Sequence, residues 1–344
     1  MIRILSAVSL FALLSACGDG QPFFDNEADT GDEEIVTGND ESEEDGISGD
    51  GDRPPGTESP SPGESIVRFE PMNEETGGGF VTDVSYDADT DTFTVDNLAF
   101  DGLNTYDRNP DISSLNNDPD TIYAVYEAPV VVTDSLTGEP INQFQYAAVY
   151  GVSRNSVENA GEIVPRSRFA IVRTGSYVGY GFGGFVYERN GSVELPTTGQ
   201  AGYEGEYAGI VVYNGAGGLS YVNGSMTVAI DFDDFNDGAA VQGRVTDREY
   251  FDENGNAIAT GPAPDLTFAV GPGVLDVNGE MQGEVSSVTV GDDGALEVFE
   301  SGTYYGILSG DDAEELVGVI VVESTDADTG ISAQETGGFI LYRD

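Results

Sequence analysis

In the run MTVAIDF, Met226, Val228, Ile230 and Phe232 stand on one side while Thr227, Ala229 and Asp231 stand on the other. Apolar and polar residues therefore alternate with a period of two, the repeat of a strand with one face buried and one face wet. Phe144, Tyr146, Ala148 and Tyr150 repeat the pattern, and clusters such as DADTD, DDFNDG, DENGN, GDDG and SGDDAEE separate such runs at hairpin spacing. No run of about eleven residues or more carries an apolar stripe at helical spacing, so the predicted fold class is all-β. After a break at LPTTGQ (195–200), eight strands are expected, centred on 203–213, 225–232, 240–247, 265–270, 281–290, 296–308, 316–323 and 335–343. Eight antiparallel strands can close into a barrel that their own side chains fill, which removes exposed edges. The expected layout is a β-rich, handle-like domain over 66–194 and an eight-stranded antiparallel β-barrel over 195–344.

Charge and residue usage narrow the chemistry. Sixty-three acids face twelve basic residues, all of them arginine, for a net charge of −51, and the chain has no His and no Lys. Without those side chains there is no His-based hydrolase, no Schiff-base or Ser-Lys enzyme, no His-ligated zinc and no P-loop lysine. Nucleic acid is not an expected partner, because binding it depends on cations that neutralise phosphates. Charge on this scale strains a compact state unless salt shortens the Debye length from ~8 Å to ~3 Å near 1 M, as in a bacterium living in salty water.

The single cysteine, Cys17, follows a short basic start (1–3), an apolar run (4–14) and the residues Leu14, Ser15 and Ala16. This reads as a secretory signal over 1–16, too short to span a bilayer, and it resembles the lipobox of bacterial lipoproteins. The expectation is a covalent lipid on Cys17, no other cofactor, and a membrane reached through the anchor rather than crossed. Gly18, where an inner-membrane retention signal has Asp, favours the outer membrane. From Gly18 to Ser65 the chain has sixteen acids, one arginine and a Pro-rich end, so 17–65 reads as the lipidated cysteine and a disordered acidic tether.

LPTTGQAGYEGEYAG at 195–209, MTVAIDF at 226–232, VQGRV at 241–245 and GTYYGILSGDDAEELVGVIV at 302–321 resemble, in order and spacing, the barrel of transferrin-binding protein B-like surface lipoproteins. In single-lobe form, that resemblance implies a handle packed on an eight-stranded barrel, outer-membrane attachment and surface exposure.

Among candidate site residues, Arg154, Arg166, Arg168, Arg173 and Arg189 crowd into the presumed handle, and PRSRFAIVRTGSY sets Arg166, Arg168 and Arg173 near Tyr177. Arginine beside tyrosine is the composition of binding hot spots, although the same arginines could relieve acidic repulsion. Asp87, Asp89 and Asp91 offer calcium-type oxygen ligands at two-residue spacing but lack the glycine and glutamate of an EF-hand loop, so a solvated hairpin tip is favoured. GYGFGG at 179–184 meets G-x-G-x-x-G, yet strand and turn residues follow where a dinucleotide site needs a helix. The functional expectation is a non-catalytic, monomeric, lipid-anchored module that binds an extracellular protein or small solute. A structural envelope lipoprotein with an acidic hydrated surface is the alternative, and a glycosidase with paired carboxylates is a third class.

Overall fold

A computed structural model describes residues 53–109, 112, 123–175, 179–233, 240–259, 263–269, 274–291, 294–326 and 329–344. The described residues contain no helix, as the alternation predicts. The strands of the first half are β1 (Ile66–Phe69), β2 (Val84–Asp87), β3 (Thr92–Val95), β4 (Thr105–Arg108), β5 (Tyr123–Glu127), β6 (Val131–Thr133), β7 (Pro140–Asn142), β8 (Tyr146–Val152), β9 (Ser156–Asn159), β10 (Glu162–Pro165), β11 (Ser167–Thr174) and β12 (Gly183–Arg189). Eight of them form one open sheet in the order β1-β12-β11-β8-β5-β4-β3-β2, and β6-β7 and β9-β10 are side hairpins. The strands of the second half are β13 (Gln200–Tyr213), β14 (Ala216–Asp231), β15 (Val241–Phe251), β16 (Leu266–Phe268), β17 (Glu280–Val290), β18 (Leu296–Ser309), β19 (Glu315–Thr325) and β20 (Ser332–Arg343). They close into an eight-stranded barrel whose last seam is the β13–β20 ladder, Tyr203↔Arg343 to Tyr213↔Ala333.

Two features differ from the sequence expectation. β14 begins at Ala216, nine residues before the expected Ser225, because Leu219 and Tyr221 bury toward the open sheet even though the glycines around them mask the alternation. The change of aromatic side from Tyr180 and Phe182 to Phe185 and Tyr187 predicts a strand bulged at Gly183 and Gly184, but the β11–β12 ladder runs through both glycines without a register shift. Gly179 and Gly181 take positive φ (68° and 81°) to turn the chain between β11 and β12, and a Cβ on Gly181 would lie 2.0 Å from the Thr174 carbonyl oxygen.

The described residues form three apolar cores. One fills the barrel, where Phe268 and Tyr304 stack at 3.7 Å among Met226, Val228, Ile230 and Leu341. The second joins sheet to barrel, with Phe169, Ile171, Phe185 and Tyr187 packed on Ile210, Tyr221, Ile307, Val317, Val319 and Ile340. Each such side chain contributes roughly 1.5–3 kcal/mol by leaving water. Phe169 comes this close because β20 offers Gly338 there: an added Cβ would meet the ring at 2.2 Å. The third core lies on the sheet face turned away from the barrel and includes Phe93, Tyr106, Tyr126, Tyr146, Ala170 and Val172.

Arginines complete the sheet–barrel contact. Arg68 makes a bidentate pair with Glu280 (2.6 and 2.8 Å), Arg173 binds Thr336 (3.0 Å) and pairs with Glu70, and Arg154 lies over the Tyr342 ring. Glu315, at the start of β19, accepts bonds from Ser153, Ser167 and Asn155 of the sheet side. Residues 53–65, tether by composition, lie along this joint: Arg53 pairs with Asp276 (2.9 Å), and the Thr57 amide donates to the Val67 carbonyl (3.1 Å).

Candidate functional site

The open sheet curls until its two ends, β1 and β2, line one cavity of about 220 Å³ together with β8, β11 and β12. Val67, Phe69, Val84 and Val186 form its apolar walls, and Asp83, Tyr86, Tyr150, Arg168 and Glu188 supply its polar groups. Strand alternation places these groups. On β11, Ser167, Phe169, Ile171 and Arg173 face the barrel, so Arg168, Ala170 and Val172 must face away. Glu188 is the direct cross-strand partner of Arg168 in the β11–β12 ladder, and the two side chains form an ion pair. The Tyr86 ring lies 5.6 Å from that of Tyr150 and 6.0 Å from that of Tyr126.

Burial lowers the proton affinity of the Arg168 guanidinium, but Glu188 and Tyr150 outweigh that effect and leave it raised overall, a fixed cation. Burial raises the Tyr86 hydroxyl pKa, and the bond to Asp91 (3.1 Å) raises it further, so Tyr86 stays neutral. Two carboxylates against one guanidinium leave the cavity with a small negative excess, beside two aromatic faces. This chemistry suits a guest that carries a positive charge on a ring-sized apolar body. A cavity of roughly 150 Å³ holds benzene, whereas drug-sized ligands need roughly 300–1,000 Å³. The size here matches one ring and its substituent.

The arginines singled out in the sequence do not gather in one patch. Arg168 lines the cavity, Arg166 pairs with Glu314 of the barrel, and Arg173 is buried on the opposite face, bound to Glu70 and Thr336. Arg154 and Arg189 also turn to the barrel. Tyr177 and Cys17 lie outside the described residues. At the DADTD turn, Asp87 Oδ1 accepts from the amides of Asp89 (2.8 Å) and Thr90 (3.2 Å), while Asp91 accepts from Tyr86 and Tyr126. Asp87 is engaged within the hairpin and Asp91 by Tyr86 and by Tyr126 of β5, and among the described residues no group of three or more His, Cys, Asp or Glu could hold a metal ion.

Sequence reasoning missed Asp83, Tyr86 and Glu188, and placed Tyr150 only as a strand residue. No local signal marks the Arg168–Glu188 pair, because the two positions lie 11 residues before and 4 residues after GYGFGG and the motif is not the centre of their ladder.

A carboxylate pair does exist inside the barrel. Glu300 and Glu335 share Arg248, with contacts from 2.5 to 3.2 Å. Ser287 donates to Glu300, and Tyr207 and Tyr250 donate to Glu335, so all four carboxylate oxygens are engaged within a packed interior. A bulge delivers Arg248 there. Asp247, at φ 54°, adds a residue opposite Gly224, so inward-facing positions change from Val241, Gly243 and Val245 to Arg248 and Tyr250.

The chain matches no protein-family model and no curated protein sequence. Among solved structures it is similar to transferrin binding protein B from Haemophilus parasuis Hp5 in two variants, a double mutant and a single mutant. Identities are 11% and 12%, coverage is 77% and 81% of this chain and 45% of each of those, and TM-scores are 0.36 and 0.37. It is also similar to intact Ap-TbpB with its N and C lobes, at 14% identity over 82% of this chain and 53% of that one, with a TM-score of 0.33. This chain thus spans about half the length of the proteins it is similar to.

Proposed function

We propose that the chain is a non-catalytic binding protein, lipid-anchored through Cys17 at the outer membrane and exposed on the cell surface, that takes a cationic, ring-bearing group into the cavity around Arg168. The guest is a small solute or a side chain of an extracellular protein. The observation that carries this reading is the cavity itself: tyrosines and carboxylates converge where Arg168 of β11 faces away from the barrel. The lipobox-like Leu14–Cys17 and Gly18 support the anchor, and the absence of His and Lys supports a role without catalysis. The envelope reading keeps one observation in its favour, a barrel interior that is filled.

Titration of the full chain with phenethylammonium separates the two. Saturable binding is expected, Tyr86→Ala should weaken it about tenfold by removing an aromatic face, and Arg168→Ser should strengthen it by freeing Glu188. Equal or tighter binding of benzoate would contradict the site assignment, and no binding of either probe would favour the envelope role.

A further inference from the structure

The hairpin formed by the end of β17 and the start of β18 stands clear of the barrel. The β16–β17 ladder ends at Ser286, and the β18–β19 ladder begins at Glu300, so among the described residues no strand flanks Val288–Val290 or Leu296–Phe299 on their outer edges. A register shift between Ser287 and Val288 leaves Phe299 unmatched, after which Val288 pairs with Val298 and Val290 with Leu296. Directly opposed residues share a face, so these four form one apolar surface, with Val288 48%, Val290 67%, Leu296 72% and Val298 67% exposed. Thr289 and Glu297 lie on the other face.

Natural edge strands are usually blunted by lysine, proline or an inward charge. This hairpin has neither lysine nor proline and presents two open edges beside an oily face. A docking strand would satisfy the idle backbone groups and cover the aliphatic side chains in one step. Charge selects the occupant. Glu284 and Glu297 are exposed nearby, and a net charge of −51 opposes both a second copy of this chain and an anionic membrane. We propose that this hairpin binds, by strand addition, an extended segment of a partner protein that alternates aliphatic residues with lysine or arginine. The site is separate from the cavity around Arg168 and does not depend on it.

The probe is the peptide KVTVKVTVK, added to the full chain and followed by hydrogen–deuterium exchange. Exchange across 288–299 is expected to slow about fivefold or more at saturation, with protection weakening as salt is raised. The charge-matched peptide KVTPKVTVK, which breaks the strand, and the acidic EVTVEVTVE should not protect. In the double variant Val290→Thr/Leu296→Thr, which keeps β-forming side chains, the affinity should drop about tenfold or more while exchange in the rest of the barrel is unchanged. The proposal is overturned if KVTVKVTVK protects some other region or none, or if KVTPKVTVK protects as well as it does. It is equally overturned if protection appears without peptide as protein concentration rises, or on phosphatidylglycerol vesicles alone.

Discussion

Replacing Arg189 with alanine is expected to cost the folded state about 3–5 kcal/mol, read by urea unfolding of the full chain. The Arg189 guanidinium is fully buried and donates to four carbonyls: Asn278 (2.8 Å), Leu308 (2.9 Å), Ser61 (3.0 Å) and Glu64 (2.8 Å). None of these belongs to a carboxylate, and burial pulls the guanidinium pKa down to about 10, so it remains charged at neutral pH. Each lost charge-assisted bond costs roughly 1.5–3 kcal/mol, partly offset because the cation no longer has to be desolvated. The four carbonyls come from the 53–65 segment, the turn before β17 and the end of β18, so one side chain ties three distant stretches together. Arg189→Lys, with three donors on a point charge, should recover only part of the loss. A cost below about 1 kcal/mol for Arg189→Ala would show that the joint does not depend on this residue.

The second large effect is expected inside the barrel. Arg248→Met leaves Glu300 and Glu335 buried without their cation, a change that costs about 3–5 kcal/mol at neutral pH. In the native protein burial lowers the proton affinity of Arg248, and Glu335 and Glu300 more than restore it. The variant has a distinctive pH signature. An unpaired buried carboxylate holds its proton more tightly in the folded than in the unfolded state, so the penalty is full at neutral pH. It shrinks as pH falls toward the unfolded carboxyl value of about 4.3. The stability difference between wild type and Arg248→Met should therefore narrow on acidification, and adding Glu300→Gln and Glu335→Gln should recover much of it at pH 7. A deficit that does not change with pH would point to lost packing instead.

Much of the architecture is legible in the sequence because a half-buried strand writes its burial into every second residue. MTVAIDF and VQGRV show that record in β14 and β15, whereas β20 is buried on both faces and is marked by its apolar run instead. The arginine partners are not legible, since Arg68 and Glu280 are 212 residues apart and nothing local links them. Composition likewise placed 53–65 in the tether, because the forces that hold it belong to acceptors and donors elsewhere, such as Asp276 and Arg189. The crowding of arginine in 154–189 is a true signal with two meanings. Most of those side chains bind the barrel, and only strand parity, which gives Arg168 and Arg173 opposite faces, separates the cavity residue from the structural ones.

The central claim is that buried arginines and a shared apolar core make the sheet and barrel one cooperative body, so that binding is left to surfaces facing away from the joint. Scanning calorimetry of the full chain tests it most directly. A single endotherm with equal calorimetric and van't Hoff enthalpies is predicted; two transitions that separate sheet from barrel would contradict it.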